Sequence, residues 1–503
     1  MSVAKNLLIG TAIATGVAVA TVFALAPMYT GGMIEQDFRS NMARASASAP
    51  NGMHVTVESY QRGWRSSTAV THWQIPDSKV DFRLQHHIEH GPSPQYALAR
   101  IETTAVIPAD AQARVQRFFK GSPLTATTLI GKDGMATTTI VSPAFAPTAT
   151  EDPNVQLGWG GLNAVLTQQG DVFQLRGDVP SLTVNNASKH EQMTLRALHM
   201  EGDTKVAGNS LPLVGSGAIA LGAMDVVTAE TGNFKMGATR LTSRQDERGD
   251  LLDMQFTFSN DGMSSSGGTK PPFKVTKVDL DYRFRNLDKA AYQKYQAQME
   301  QLFSTAGDKQ TVAAAALPRT MAAASELLHA VAARSPVIEI PKFHIALDQG
   351  AVDGTLTATF NGSGLATWPP AMDEAMKRAT VNATLRAPEA LLRMVAESKA
   401  HESAKQTLAA QNMEANDTNI RAVSANIVDQ QMQMLAQSPY VKREGNDFSS
   451  TLTMQNGEIK INGQSLGNMA AMGFGGAAVP GANGEGMPPM PAGVPAMPTP
   501  AGN

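Results

Sequence analysis

The sequence predicts an α+β protein: an extended, curved, mainly antiparallel β-sheet with long helical insertions, preceded by one N-terminal transmembrane helix. Three observations carry that expectation. Apolar residues recur at every second position in several runs, as in Leu252, Met254, Phe256 and Phe258. Such alternation gives a strand one dry and one wet face, which suits antiparallel pairing rather than a buried parallel sheet. Between these runs lie long polar and Ala-rich stretches bounded by capping residues and prolines. The chain also opens with an uncharged apolar stretch of membrane-spanning length.

That stretch runs from Leu7 to Ala26, with Lys5 before it and no charge after it until Glu35. About twenty apolar residues cross a bilayer as a helix, and a positive flank stays in the cytoplasm, so the remainder is expected to be exported. Ala24-Leu25-Ala26 imitates a signal-peptidase site, but Pro27 follows at once, where proline blocks cleavage; an uncleaved anchor is favoured. Ala12, Gly16, Ala20 and Ala24 recur every fourth residue and form a small-residue face. Small residues at that spacing let two transmembrane helices approach closely, which leaves a homodimer open.

Beyond the polar connector Arg44 to Asn51, strand signals begin. His54 to Glu58 alternates, Gln61-Arg62-Gly63 reads as a turn, and Trp64 to Ile75 returns. Asp81 to Glu89 sets Phe82, Leu84, His86 and Ile88 against Arg83, Gln85, His87 and Glu89. Later, Val278, Leu280, Tyr282 and Phe284 oppose Asp279, Asp281 and Arg283, and Val352, Leu356, Ala358 and Phe360 oppose Asp353 and three threonines. Asp288 is the expected N-cap of a helix through Phe303, and a second, Ala-rich helix runs from about Thr311 to Arg334, stopped by Pro336. Pro388 opens a further helical region to about Ala436, broken near Asn416-Asp417, with Ile420, Val423, Ile427 and Met434 as its apolar stripe. Asn456-Gly457 marks a type I′ hairpin turn. Residues after 466 are rich in Gly, Ala, Met and Pro and have no periodic face to bury, so a disordered tail is expected there, with room for weak docking. The expected layout is therefore an anchor (1–30), a β-rich region (31–286), a helical insertion (287–335), a β region (336–387), a long helical segment (388–437), a hairpin (438–466) and a tail (467–503).

Composition narrows the function. Among 503 residues there is no cysteine, which excludes a thiol nucleophile, a thiolate metal site and a disulfide. Lys and Arg number 41 against 44 Asp and Glu, a net charge of −3 that gives no electrostatic reason to expect nucleic acid. His86, His87, Glu89 and His90 suggest a metal site, but His86 and His90 share one strand face while His87 and Glu89 point away. No partner spacing completes a ligand set, so no metal is expected. Asp279 and Asp281 pose as a carboxylate pair, yet Lys277, Arg283 and Arg285 interleave with them as on a solvated, ion-paired face. No phosphate loop, dinucleotide fingerprint or nucleophile elbow appears, and neither a cofactor nor an enzymatic activity is expected.

Several short motifs, taken in order, resemble the YdgA-like family of bacterial proteins of unknown function. Tyr29-Thr30-Gly31 with Ile34-Glu35 follows the anchor, Tyr60-Gln61-Arg62-Gly63 precedes Ser66-Ser67, and His90-Gly91-Pro92 ends the third strand. Leu157-Gly158-Trp159-Gly160-Gly161-Leu162, Asn286-Leu287-Asp288, Ser335-Pro336-Val337-Ile338 and Ile461-Asn462-Gly463-Gln464 come later. The tail is longer and richer in Gly and Met than the family pattern. The resemblance implies a single-pass protein of the bacterial inner membrane with its bulk in the periplasm, and it carries over no catalytic residue. His90, Gly91, Pro92, Trp159, Gly160, Asn456 and Gly457 are then structural, marking tight turns with aromatic packing.

Two functions follow as expectations. In the first, an apolar sheet face that the helices leave uncovered binds lipid in an envelope-maintenance role. In the second, the long helices make the protein a periplasmic scaffold, self-associated or bound to another partner.

Overall fold

In the computed structural model, the described residues are 54–75, 80–91, 98–205, 214–228, 232–268, 272–304, 309–365, 367–410 and 416–468, with isolated positions between 35 and 46 and residue 414. The expected span Leu7–Ala26 with its small-residue face, Pro92, and residues 469–503 lie outside them. Among the described residues no helix is long and apolar enough to cross a membrane.

The α+β expectation holds: one antiparallel sheet takes all the described strands, and the helices are insertions into it. Strands β1 (His54–Arg62), β2 (Ser66–Ile75), β3 (Val80–His90) and β4 (Ala99–Val106) form a meander. After the short helix α1 (Ala109–Gln116), β5 (Thr125–Ile130) and β6 (Ala136–Ser142) extend it. Strands β7 (Phe145–Ala149) and β8 (Val155–Trp159) make a side hairpin, and β9 (Leu162–Gln169) returns to β6. The long hairpin of β10 (Val172–Asn186) and β11 (Glu191–Lys205) follows, with β9 and β8 sharing one edge of β10.

Beyond β11 the sheet splits. β12 (Val214–Leu221) and β13 (Met224–Thr228) both pair with it, turning away from each other at Gly222, whose N–H donates to the Ala197 carbonyl at 2.8 Å. One branch continues through β14 (Gly232–Met236) to β17 (Met263–Gly267), the other through β15 (Thr239–Arg248) to β16 (Leu251–Asn260). Both rejoin on β18 (Phe273–Asp288). Then come β19 (Val337–Leu347), β20 (Gly350–Phe360), β21 (Ala379–Pro388), β22 (Lys442–Glu444), β23 (Asp447–Gln455), β24 (Glu458–Ile461) and β25 (Gln464–Asn468).

Two helical hairpins interrupt this ladder. In α2 (Lys289–Ser304) and α3 (Lys309–Ala332), Asp288 caps the first helix by accepting from the Ala291 N–H at 2.9 Å, as the sequence indicates. Its second oxygen accepts from Arg334 at 2.8 Å. Burial works against ionisation of Asp288, but the Ala291 and Arg334 hydrogen bonds outweigh it and hold the carboxyl below its ordinary range. After the short α4 (Met372–Arg378), the second hairpin comprises α5 (Glu389–Ala410) and α6 (Asp417–Gln437). The break falls where it was expected, with the Asn416 side chain accepting from the Asn419 N–H at 2.9 Å.

Of the stripe read in the sequence on α6, Ile420, Val423 and Ile427 pack against α5, whereas Met434 does not. Ile420, Ser424, Val428 and Met432 are buried, one residue every fourth, whereas Met434 is 64% exposed. Among the described residues its buried side chains meet α5, at Ala400, Ala404 and Leu408, and a contact with a single helix needs one narrow seam rather than a broad face. The C-terminal hairpin is also longer than expected. Asn462 and Gly463 repeat the Asn-Gly signal, both with φ near the left-handed region (50° and 83°), and turn the chain into β25, two residues past the predicted start of the tail.

Candidate functional site, an apolar sheet face

In an antiparallel ladder, directly paired residues share a face, so the register traces that face across many strands. One row runs Met200, Ile219, Leu241, Phe258, Leu280, Phe343, Gly354 and Leu385. A second runs Met254, Phe284, Ile338, Ala358, Val381, Met454 and Ile459. The period-two patterns visible in the sequence therefore stay in phase from strand to strand and merge into one apolar face.

The opposite face is ionic. Its corresponding row runs His199, Ala220, Arg240, Ser259, Asp279, His344, Asp353 and Arg386. Its charges pair among themselves. Asp178 lies 2.7 Å from His199, Glu201 2.7 Å from Arg240, Asp279 2.7 Å from Lys342 and Asp281 2.7 Å from Arg283. The Lys342 hydrogen bond holds the Asp279 carboxyl below its ordinary range. The two aspartates are thus ion-paired rather than free for catalysis, Asp279 across strands to Lys342 and Asp281 within β18 to Arg283, although their side chains are only 15% and 18% exposed rather than solvated as the sequence suggests. A shallow depression of about 340 Å³ on this side, lined by Glu201, Asp203, Arg240 and Arg244, is built from the same partnered charges.

Burial divides the apolar face in two. From β3 to β9 it is sealed: Ile88, Ile101, Ile130 and Ile140 are 0% exposed, and Phe38 and Met42 pack into the same core as the first three. Val179 of β10, at 6% exposure, still belongs to the sealed core, and from β11 to β23 the continuation of that face is uncovered. Ile219, Leu241 and Leu385 are 45%, 46% and 52% exposed, and Phe256, Phe258, Leu280, Phe343 and Leu356 are only half-buried. The helical hairpins do not close it. α3 meets the sheet at one rim, where Leu327 and Val331 pack with Leu252, Met254, Phe284 and Leu287. α5 and α6 spend their apolar seam on each other and leave the sheet at the opposite rim, after Pro388. The open part crosses β11, β12, β15, β16, β18, β19, β20, β21 and β23, roughly 40 Å at about 4.8 Å per strand, while Val179 of β10 and Ile459 of β24, at 6% and 8% exposure, close its two ends.

The histidine cluster has a different use. His86 is buried between two threonines, Nε2 lying 2.8 Å from Thr71 Oγ1 and Nδ1 2.9 Å from Thr103 Oγ1. Burial pushes its pKa down to about 3, so it sits in the core as a neutral ring with both nitrogens engaged. His90 contacts Ser67, with Nε2 3.0 Å from Oγ, a pairing the sequence did not announce because the two residues come from different strands. Ser67 is 2% exposed and no carboxylate orients His90, whose Nδ1 lacks a hydrogen-bond partner, so the pair lacks the layout of a nucleophile and its base.

The remaining motif residues serve turns and close packing. The His90 and Gly91 N–H groups donate to the Arg65 and Leu98 carbonyls at 2.9 and 2.7 Å and hold the end of β3. Trp159 Nε1 donates to Ser142 Oγ at 3.1 Å, with its ring against the core of Ala126, Ile140 and Leu162. At Gly160 a Cβ would stand 2.6 Å from the Ser181 nitrogen, so only glycine fits. Asn456 and Gly457, with φ of 52° and 78°, form the expected type I′ turn.

No curated protein and no solved structure matches this chain. A family model described as "Bacterial protein of unknown function (DUF945)" matches residues 8–468, and the chain belongs to that family.

Proposed function

We propose that this is a non-enzymatic, YdgA-like envelope protein that binds the acyl chains of lipids on its open apolar face. The observation that supports it is the half-exposed, in-phase apolar surface running from β11 to β23 beside a sealed continuation of the same face. A soluble sheet normally covers such a surface, because exposed contiguous apolar area is costly in water. Acyl chains suit it chemically: each buried methylene contributes about 0.8 kcal/mol and needs no polar partner, and the rows named above carry no charge. The Leu7–Ala26 segment with Lys5 before it supports a setting at the bacterial inner membrane, single-pass, with the bulk in the periplasm. Mass spectrometry of lipid co-purified with the full chain tests the reading. Phospholipid should accompany the parent protein and be lost from a folded Leu241→Asp/Leu385→Asp variant; equal recovery from both would refute it.

The scaffold reading, in which the helices hold a partner or a second copy, draws on a separate observation. Val395 on α5 and Met434 on α6 are 51% and 64% exposed on the outside of the second hairpin. Crosslinking in intact cells through these positions should capture one reproducible partner if that reading is right. Self-association that survives Gly16→Leu/Ala20→Leu would remove the transmembrane homodimer.

A further inference from the structure

We propose that one end of the first meander, led by Trp64 at the tip of the β1–β2 hairpin, rests on a bilayer surface that carries anionic headgroups. This contact is separate from the open apolar face and does not depend on acyl chains occupying it.

Trp64 is 96% exposed, and no other large apolar side chain among the described residues exceeds 65%. The backbone holds it out. The Gly63 N–H donates to the Ser66 carbonyl at 2.9 Å, and a Cβ on Gly63 would stand 2.6 Å from that same oxygen. The Arg65 carbonyl accepts from the His90 N–H at 2.9 Å, which ties the tip to β3 as well. Below it the Tyr60 ring packs on Phe38, with centroids 5.7 Å apart, so the hairpin is rooted in the sealed core. The indole ring is apolar with a single N–H, and such rings settle at the boundary between headgroups and acyl chains.

Further apolar tips stand level with it. Pairing sets Ser66 opposite Glu89, His90 opposite Ala99, Ala99 opposite Ile130, Ile130 opposite Ala136 and Ala136 opposite Gln168. The β1–β2, β5–β6 and β9–β10 tips therefore stop at one level. Met135 and Val172, at the second and third of these, are 38% and 37% exposed. From β2 to β10 they line about 30 Å of sheet end, at about 4.8 Å per strand. A row of apolar tips at one height is a surface that a planar partner can meet, which a single stray side chain is not.

Charge selects the headgroup. Arg62 and Arg65 flank Trp64, are exposed, and pair with no acid among the described residues; Glu58 of β1 and Glu89 of β3 face Arg83 and Arg100 instead. Lys132 at the β5–β6 tip is likewise exposed and unpaired among the described residues. The acids of these tips are Asp133, which accepts from the Met135 N–H at 3.1 Å within its own turn, and Asp171. Positive charge is thus concentrated beside the tryptophan, as anionic headgroups require, whereas the charges of the ionic face are matched in pairs.

The test reconstitutes the full chain in liposomes whose phospholipids carry bromine near the top of one acyl chain, where it quenches adjacent tryptophan. Parent and Trp64→Phe are compared, so that quenching of Trp73, Trp159 and Trp368 cancels. In vesicles containing phosphatidylglycerol the parent should lose at least twice the fraction of its emission that Trp64→Phe loses. Arg62→Gln/Arg65→Gln, or vesicles of phosphatidylcholine alone, should remove at least half of that excess. Equal fractional losses from parent and Trp64→Phe would overturn the proposal, as would an excess of the same size in both kinds of vesicle. Flotation of the same samples separates this contact from the anchor. A chain that floats without the excess keeps the Leu7–Ala26 anchor and loses the Trp64 contact; one that neither floats nor shows the excess loses both. A photoreactive side chain in place of Trp64 that captures one protein rather than lipid in intact cells would overturn the proposal in favour of a protein docking site.

Discussion

The Thr71 hydroxyl lies 2.8 Å from Nε2 of His86, and that contact, with Thr103 on the other ring nitrogen, holds a neutral imidazole in a fully buried position. An unfolded histidine protonates near pH 6.5, while His86 in the fold resists protonation down to about 3. Between those values the unfolded chain binds the extra proton. This histidine's contribution is thus complete above pH 6.5 and is lost as the pH falls toward 3, at about 1.4 kcal/mol per unit. Thermal melts from pH 7.5 to 5 should show a declining Tm, and the decline should be shallower in His86→Gln.

The division of the apolar face predicts two different costs for similar substitutions. Leu241→Ser, on the open face, should change stability by less than about 1 kcal/mol, because its side chain is already 46% exposed. Ile101→Ala, on the sealed face at 0% exposure, should cost about 2–5 kcal/mol. Urea titrations of the two variants measure the difference; comparable losses would mean that the face is covered throughout.

Asp288, at the end of β18, makes two bonds of unequal worth, one into α2 and one to Arg334 just past α3. Its acceptance from the Ala291 N–H is a helix cap, worth about 1 kcal/mol, whereas the Arg334 pair is partly exposed and screened. Asp288→Ala should therefore destabilise by about 1–2 kcal/mol and Asp288→Asn by less than half of that, with added salt narrowing the gap between Asp288→Asn and the parent. Chemical denaturation at low and high salt reads this.

Gly160→Ala should cost about 1–3 kcal/mol, since the added methyl meets the Ser181 backbone at 2.6 Å and the β8–β10 pairing must shift. Gly121→Ala, with nothing within 4 Å, serves as the control and should stay within about 0.5 kcal/mol of the parent.

Local chemistry carried much of the architecture. Asp288 and Asn416 mark helix starts because each supplies a side-chain oxygen to a free N–H three residues on, and Asn456-Gly457 turns because both residues tolerate positive φ. The alternation around Phe256, Leu280 and Leu356 assigned those side chains to one face of their strands. The second Asn-Gly turn, at 462–463, follows the same rule. On α6, Ile420, Val423 and Ile427 pack as the period indicates, but Met432 rather than Met434 extends the seam, because sequence gives the period of a helix but not the width of the surface it meets.

What the amino-acid order determined, then, was the face each residue of a strand belongs to, a property set by two neighbouring peptide units. Whether that face is sealed, as at Ile101, or open, as at Leu241, was decided only by tertiary structure. Both are branched aliphatic residues at the inward position of a strand otherwise rich in polar residues. Their burial differs because covering is supplied by segments far away in the chain: Phe38 and Met42 pack over one end, whereas α5 and α6, long enough to cover the other, bury their apolar seam in each other. Burial is a property of what arrives from elsewhere, and no local pattern records it.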